Sequence, residues 1–200
     1  MKLSLAILTC GAFLSASLLG AAVRAEDDAG ELEVGSKAPT FTCTDDKGGT
    51  FKSTDVVGKK VLVVYFYPAA LTGGCTKQAC GFRDDMKTLQ GQGVEVVGVS
   101  GDKPEGLALF KKVHDLNFTL LADFDGAVGK KFGVPIGNGG TFTYKDEDGN
   151  SHELVRGVTE SRWTFVIDLD GNVAMKNTKV NAAEDSKAIV ALVEKLQSDR

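Results

Sequence analysis

The stretch Val61-Leu62-Val63-Val64-Tyr65-Phe66-Tyr67-Pro68-Ala69-Ala70-Leu71-Thr72-Gly73-Gly74-Cys75-Thr76-Lys77-Gln78-Ala79-Cys80-Gly81 decides how the rest of the chain is arranged. Residues Val61 to Tyr67 are all apolar or aromatic, without a single charge. An unbroken run of that length, rich in Val and aromatics, reads as a strand buried on both faces. A proline, a threonine and two glycines follow, and a helix is expected to start at about Gly74 to Thr76, with Lys77, Gln78 and Ala79 as good helix formers. Cys75 therefore falls in a first helical turn. Free backbone N–H groups and the positive end of the macrodipole stabilise an anion there, which is one general way of making a reactive thiolate.

Upstream, Ala38 to Thr44 alternates like an edge strand, Asp46-Lys47-Gly48-Gly49 is a turn, and Thr50-Phe51-Lys52 returns as a hairpin partner. Glu26 to Lys37 is acidic and polar and reads as a mobile lead-in. Downstream, the cysteine-bearing helix is expected to end near Gln90, and Val94 to Ser100 is a second β-branched buried strand. Lys103-Pro104-Glu105 opens a helix to about His114, because proline is tolerated in a first turn. Phe118 to Leu121 is a third strand, and Asp125 to Phe132 a short helix stopped by Gly133 and Pro135.

Ile136 to Gly157 is turn-rich, with a strand expected only at Thr141 to Tyr144. Trp163 to Asp168 is a fourth buried strand, Asp170-Gly171-Asn172 turns it into Val173 to Lys176, and Ala182 to Gln197 closes the chain as an amphipathic helix. With no repeat and no internal linker, residues 26–200 make one α/β domain. Its mixed central sheet with helices on both faces is the layout of a thioredoxin-like fold.

The composition is that of an ordinary globular chain, 42% hydrophobic and 25% charged over 200 residues. A formal charge of −4 without a basic cluster argues against nucleic-acid binding. Residues 1–25 read as a signal peptide: Lys2, then an apolar run from Leu3 to Val23, then Val23-Arg24-Ala25 before Glu26-Asp27-Asp28. The run approaches the ~20 residues that span a bilayer, but its Ser, Thr and Gly content favours cleavage after Ala25 over a retained anchor. The expected mature protein is exported and has no stable membrane insertion. It carries a charge of −6 and retains Cys43, Cys75 and Cys80. One close pair with a spare thiol suits catalysis better than structural stapling.

The spacing of Cys75 and Cys80 discriminates between chemistries. Cysteines at C-x-x-C lie about 5 Å apart on a helix and can bridge as they stand. At i, i+5 the same geometry gives about 8.6 Å and opposite-facing sulfurs, beyond the ~7 Å limit for a disulfide without backbone movement. Pairing of Cys75 with Cys80 therefore requires the helix between them to unwind. Such an arrangement suits an enzyme that first reacts with an oxidant in a folded pocket and then opens.

The segment Tyr65-Phe66-Tyr67-Pro68-x-x-x-Thr72-x-x-Cys75-Thr76-Lys77-x-Ala79-Cys80-Gly81-Phe82-Arg83-Asp84 resembles the peroxiredoxin motif P-x-x-x-T-x-x-C. In particular it is similar to the bacterioferritin comigratory protein (PrxQ) subfamily, which places its second cysteine five residues on. Val97-Gly98-Val99-Ser100, Leu121-Ala122-Asp123, Phe132-Gly133-Val134 and Arg162-x-Thr164 to Asp168 extend the likeness, which runs from about Gly35 to the last helix. The resemblance implies a thiol-dependent, antioxidant peroxidase acting on hydrogen peroxide and organic hydroperoxides. Cys75 would be the peroxidatic thiolate and pass through a sulfenic acid. Thr72 would hydrogen-bond thiolate and peroxide, Pro68 would shield the pocket, and Arg162 would hold the reacting oxygens by charge-assisted hydrogen bonds. Cys80 would resolve the sulfenic acid as an intramolecular disulfide, recycled by a thioredoxin-like donor. No cofactor or metal is implied, and a monomer is expected.

Arg162 is preferred to Arg156 because it directly precedes a buried strand. His114 and His152 read as surface residues, and Cys43 as a half-buried strand residue. Two departures stand out: Ala69-Ala70-Leu71 replaces a polar loop, and Gly73 stands where the subfamily has proline. They suggest a looser, less polar pocket suited to apolar hydroperoxides. Two other classes compete. An exported thiol–disulfide oxidoreductase would be expected to carry C-x-x-C, which is absent. A copper-binding assembly factor needs a closer cysteine pair and a nearby histidine, and leaves Pro68 and Thr72 without a role.

Overall fold

A computed structural model describes residues 32–198. The expected signal peptide, residues 1–25, and the first residues of the lead-in lie outside the described residues. The buried run forms β3 (Val61–Phe66), buried along its whole length. On one side it pairs in parallel with β4 (Val94–Ser100), which pairs in parallel with β5 (Thr119–Ala122). On its other side lies β8 (Thr164–Ile167), antiparallel, followed by β9 (Val173–Asn177). The hairpin of β1 (Thr42–Asp45) and β2 (Thr50–Lys52) joins at β5 and completes a seven-stranded sheet ordered β2-β1-β5-β4-β3-β8-β9. The first strand is therefore not an edge: β2 is, because β5 takes the free side of β1.

Alternation along β3 divides the core in two. Val61, Val63 and Tyr65 face a layer built by α1 (Gly73–Gly91), α2 (Pro104–Val113) and α4 (Asp185–Ser198). Leu62, Val64 and Phe66 face α3 (Ala127–Lys131) together with Phe41, Phe165 and Trp163. Helices thus cover both faces, as a sheet with buried parallel strands requires. Cys75, Ala79, Phe82, Met86 and Leu89 recur at helical spacing as the buried stripe of α1.

Two further expectations are corrected. From Leu32 on, the lead-in is pinned to the sheet: Gly35 N donates to Val173 O (2.8 Å), Val173 N to Ser36 O (2.9 Å), and Leu32 packs against the second core. The turn-rich segment is a hairpin of two ten-residue strands, β6 (Ile136–Lys145) and β7 (Ser151–Glu160). It sits over the β4–α2 loop, where Gly157 N donates to Gly101 O and Lys103 N to Val155 O. Gly101 is required there, because a Cβ would lie 2.2 Å from the Val158 carbonyl oxygen.

Candidate active site

Where β3 ends, the chain must turn back into α1 over the C-terminal edge of the sheet. Pro68 is half-buried, and Ala69, Ala70 and Leu71 are buried. The loop is held by Asp102, whose carboxylate accepts from Ala70 N (2.8 Å) and from Ser100 Oγ (2.9 Å). Leu71 takes φ of 60°, a conformation that costs a non-glycine residue of order 1 kcal/mol and persists only where the surroundings over-determine it. The apolar loop is thus packed and tied rather than loose. Its three apolar side chains belong to the wall, not to an open substrate surface.

Thr72 occupies the N-cap position of α1, yet its hydroxyl donates to Ala69 O (2.8 Å) instead of capping the helix or touching sulfur. Cys75 is the third residue of α1 and only 2% exposed. Arg162, on the link from β7 to β8, donates from Nη2 to Cys75 Sγ at 3.1 Å and from Nη1 to Gln78 Oε1. Of the two arginines, then, Arg162 faces the sulfur, whereas Arg156 Nε donates to Thr159 Oγ1 on the hairpin. A guanidinium at that distance interacts best with sulfur carrying negative charge.

Behind the sulfur, the Tyr65 ring stacks on Phe82 (centroids 4.8 Å) and Tyr67 (5.5 Å), closing the floor against water. Burial first, and then the charge of Cys75, holds the Tyr65 phenol well above its usual range, so it stays neutral. Cys80 lies in the same unbroken helix, half-buried and free. Ideal helix geometry separates the two α-carbons by about 8.6 Å. Cys43 is packed in the second core, and burial, then Asp123 and Glu160, push its thiol up to about 12. It is an inert core thiol rather than a half-buried one. Among the described residues no three His, Cys, Asp or Glu side chains converge as a metal site. His152 instead closes the hairpin turn on Asp146 (2.8 Å).

Four groups around the site were not read from the sequence. Two are Gln78, which accepts from Arg162, and Asp102, which accepts from the Ala70 amide. Asp185, 3% exposed, accepts at Oδ2 from Gln78 Nε2 and from Thr164 Oγ1, both at 2.8 Å. The spacing of Gln78, one turn beyond Cys75, was a readable signal for the first; nothing local marks the other three.

Glu160 is the fourth, 1% exposed and two residues before Arg162. Burial, then neighbouring Asp123 and Asp102, raise its carboxyl from 4.5 to about 10. Asp123 accepts from Val128 N and Gly129 N, while neither carboxyl oxygen of Glu160 meets a hydrogen-bond partner among the described residues, so burial leaves Glu160 holding its proton. Between 4.5 and about 10 the folded state holds a proton that the unfolded chain has released. Stability is therefore expected to fall with rising pH across that window, by at most ~1.4 kcal/mol per pH unit. Glu160→Gln keeps the shape and has no titrating proton to lose. Melts from about pH 5 to pH 9 should show a flatter slope and a higher Tm at the alkaline end. Identical slopes in the two proteins would mean that Glu160 does not hold a proton in the folded state.

Residues 34–176 match the AhpC/TSA family. The chain is 44% identical over 142 residues to peroxiredoxin Bcp of Escherichia coli K12, covering 71% of this chain and 83% of that protein. Among solved structures, peroxidoxin BcpB of Mycobacterium tuberculosis superposes with a TM-score of 0.68 at 28% identity, over 82% of this chain and 98% of that one. Peroxiredoxin Q of Xanthomonas campestris gives 0.64 at 24% identity, over 84% and 98%, a likeness of fold.

Proposed function

The chain belongs to the AhpC/TSA family, and within the thiol-dependent peroxidase activity that follows we propose the residues and steps of its cycle. Its fold is thioredoxin-like, and it reduces hydroperoxides at the expense of a thiol reductant. The observation that carries the assignment of residues is the Arg162 guanidinium donating to a buried helix-N-terminal sulfur.

In the first step the Cys75 thiolate attacks the terminal oxygen of ROOH. The S–O bond forms as the O–O bond breaks, sulfur is oxidised to Cys75–SOH, and RO⁻ leaves to take up a proton as ROH. Arg162 stabilises sulfur before attack and negative oxygen during it. Pro68 and the packed loop keep water away. Thr72, which now donates to the Ala69 carbonyl, turns its hydroxyl to the incoming peroxide. In the second step the first turns of α1 unwind and Cys80 sulfur attacks Cys75–SOH, forming the disulfide and releasing water. A dithiol donor of the thioredoxin type then returns both thiols.

A leader at residues 1–25, with its basic start, apolar run and Val23-Arg24-Ala25 end, would deliver the domain outside the cytoplasm as a monomer. Among the described residues no helix is long and apolar enough to cross a membrane.

Intact mass after one equivalent of hydrogen peroxide tests the cycle. The wild-type protein is expected to lose two hydrogens without dimerising, and Cys80→Ser to gain one oxygen and stall after a single turnover with thioredoxin. A disulfide-linked dimer, or continued turnover of Cys80→Ser with thioredoxin, would remove Cys80 from the resolving role.

A further inference from the structure

We propose that Asp185, at the head of the C-terminal helix, is a positioning residue that holds the turn carrying Cys75 in its peroxide-reactive form and thereby sets the balance between attack and resolution. The inference rests on the peroxidase cycle above, and it concerns a residue that lies 110 positions from the attacking sulfur in sequence.

The contacts form a continuous chain. Asp185 Oδ2 accepts from Gln78 Nε2 (2.8 Å) and from Thr164 Oγ1 (2.8 Å). With its amide nitrogen so engaged, Gln78 has one orientation, and its Oε1 accepts from Arg162 Nη1. The other arm of the same guanidinium donates to Cys75 Sγ (3.1 Å). Gln78 and Asp185 are 1% and 3% exposed, so neither bond is diluted by solvent. The docking is close: a Cβ on Gly81 would lie 2.9 Å from Ser186 Oγ, so α4 seats its first residues directly on the α1 turn that contains Cys80. Ile189 and Val193 continue that contact in the core shared with Ala79, Phe82 and Met86.

The consequence follows from where Gln78 sits, between the two cysteines. Folded, the clasp aims Arg162 at sulfur and favours attack on peroxide. Unwinding α1 far enough to join Cys75 to Cys80 carries Gln78 away from both Asp185 and Arg162. That leaves a buried carboxylate with Thr164 alone, and an unmade bond to a buried charge is costly. Asp185 therefore opposes the opening that resolution requires. A slower resolution leaves Cys75–SOH exposed to a second peroxide, which oxidises it to the sulfinic acid while itself being reduced to ROH.

Full mature protein carrying Asp185→Ala and Asp185→Asn provides the test, with Trp163 fluorescence and quenched mass spectrometry following the sulfenic, disulfide and sulfinic forms. Asp185→Ala is expected to slow Cys75 oxidation by about tenfold, to speed disulfide formation severalfold, and to lower the sulfinic yield at excess peroxide. Asp185→Asn keeps an acceptor oxygen for both donors and should restore both rates to within about twofold. If both rates and the sulfinic yield in Asp185→Ala match wild type, the proposal fails. It also fails if both steps slow together and Asn does not rescue them, since that is general loosening of the fold. Wild type that consumes no peroxide in the same assay would instead overturn the cycle itself.

Discussion

Cys75→Ser is expected to reduce peroxide consumption with a thiol donor by at least about a thousandfold, because it removes the nucleophile of the proposed cycle, the only thiol among the described residues that faces Arg162. The substitution is conservative in volume, and the site is built from elements that do not depend on sulfur. The floor of Tyr65, Tyr67 and Phe82 remains, and so do the Ala70–Asp102 bond and the Gln78–Asp185 bond. Arg162 would meet a hydroxyl oxygen instead of sulfur, so a folded protein with an unchanged melting curve should accompany the loss. Among the described residues the other two thiols do not substitute. Cys43 is packed in the core with its thiol pushed up to about 12, and Cys80 lies on another face of α1, without the Arg162 donor. Peroxide consumption above a tenth of wild type in Cys75→Ser would end the assignment of Cys75 as attacker.

The parts of this site that were legible in the sequence are those whose meaning is local. Val61 to Tyr67 announces a buried strand because a strand covered on both faces has no polar face to show, and β3 is buried throughout. The proline, threonine and cysteine fall on one turn and one helix start, within reach of each other by chain connectivity alone. Arg162 was also readable, since a charge directly before a buried strand must sit at the sheet's end, the same end where β3 delivers Cys75.

What was not legible depends on pairs distant in sequence. Asp185 looks like any acidic residue opening an amphipathic helix, and only the fold places it under Gln78, 107 residues away. Nothing in the sequence around Glu160 or Asp102 marks either as buried, yet each is 1% exposed. The β6–β7 hairpin was missed for a different reason. Its first strand begins Gly137-Asn138-Gly139-Gly140, a turn composition, yet Gly139 serves close backbone approach to β7, where a Cβ would lie 2.2 Å from the Arg156 carbonyl oxygen, rather than a change of direction. The alternation of Phe142 and Tyr144, facing Leu154 and His152, was present but spans only half of the strand. The lead-in was likewise taken as mobile because its polarity was visible and its backbone bonds to β9 were not.

Arg162→Ala is expected to slow oxidation of Cys75 by about 10²–10³-fold, the loss found when a preorganised donor to developing negative charge is removed. The guanidinium acts in two directions at once. Its Nη2 donates to the sulfur, and its Nη1 donates to Gln78, which is itself tied to Asp185. A lysine supplies the charge as a single point without the fork, so it cannot satisfy both partners in the same geometry. Arg162→Lys should therefore recover only part of the loss, remaining about 10–100-fold below wild type. The comparison separates two explanations. If charge alone mattered, lysine would restore the rate. If the fork matters, lysine leaves either the sulfur or Gln78 without its donor, and the shortfall persists. Rates should be measured on reduced protein with substoichiometric peroxide, so that resolution and recycling do not enter. Melting curves should accompany them, because Arg162→Ala also leaves Gln78 Oε1 buried without a donor, at a cost of about 1–3 kcal/mol. A rate within about threefold of wild type for Arg162→Ala, in a protein that still melts cooperatively, would mean that the 3.1 Å contact with Cys75 does not act in the transition state. The helix N-terminus would then have to stabilise the thiolate and the departing oxygen without it.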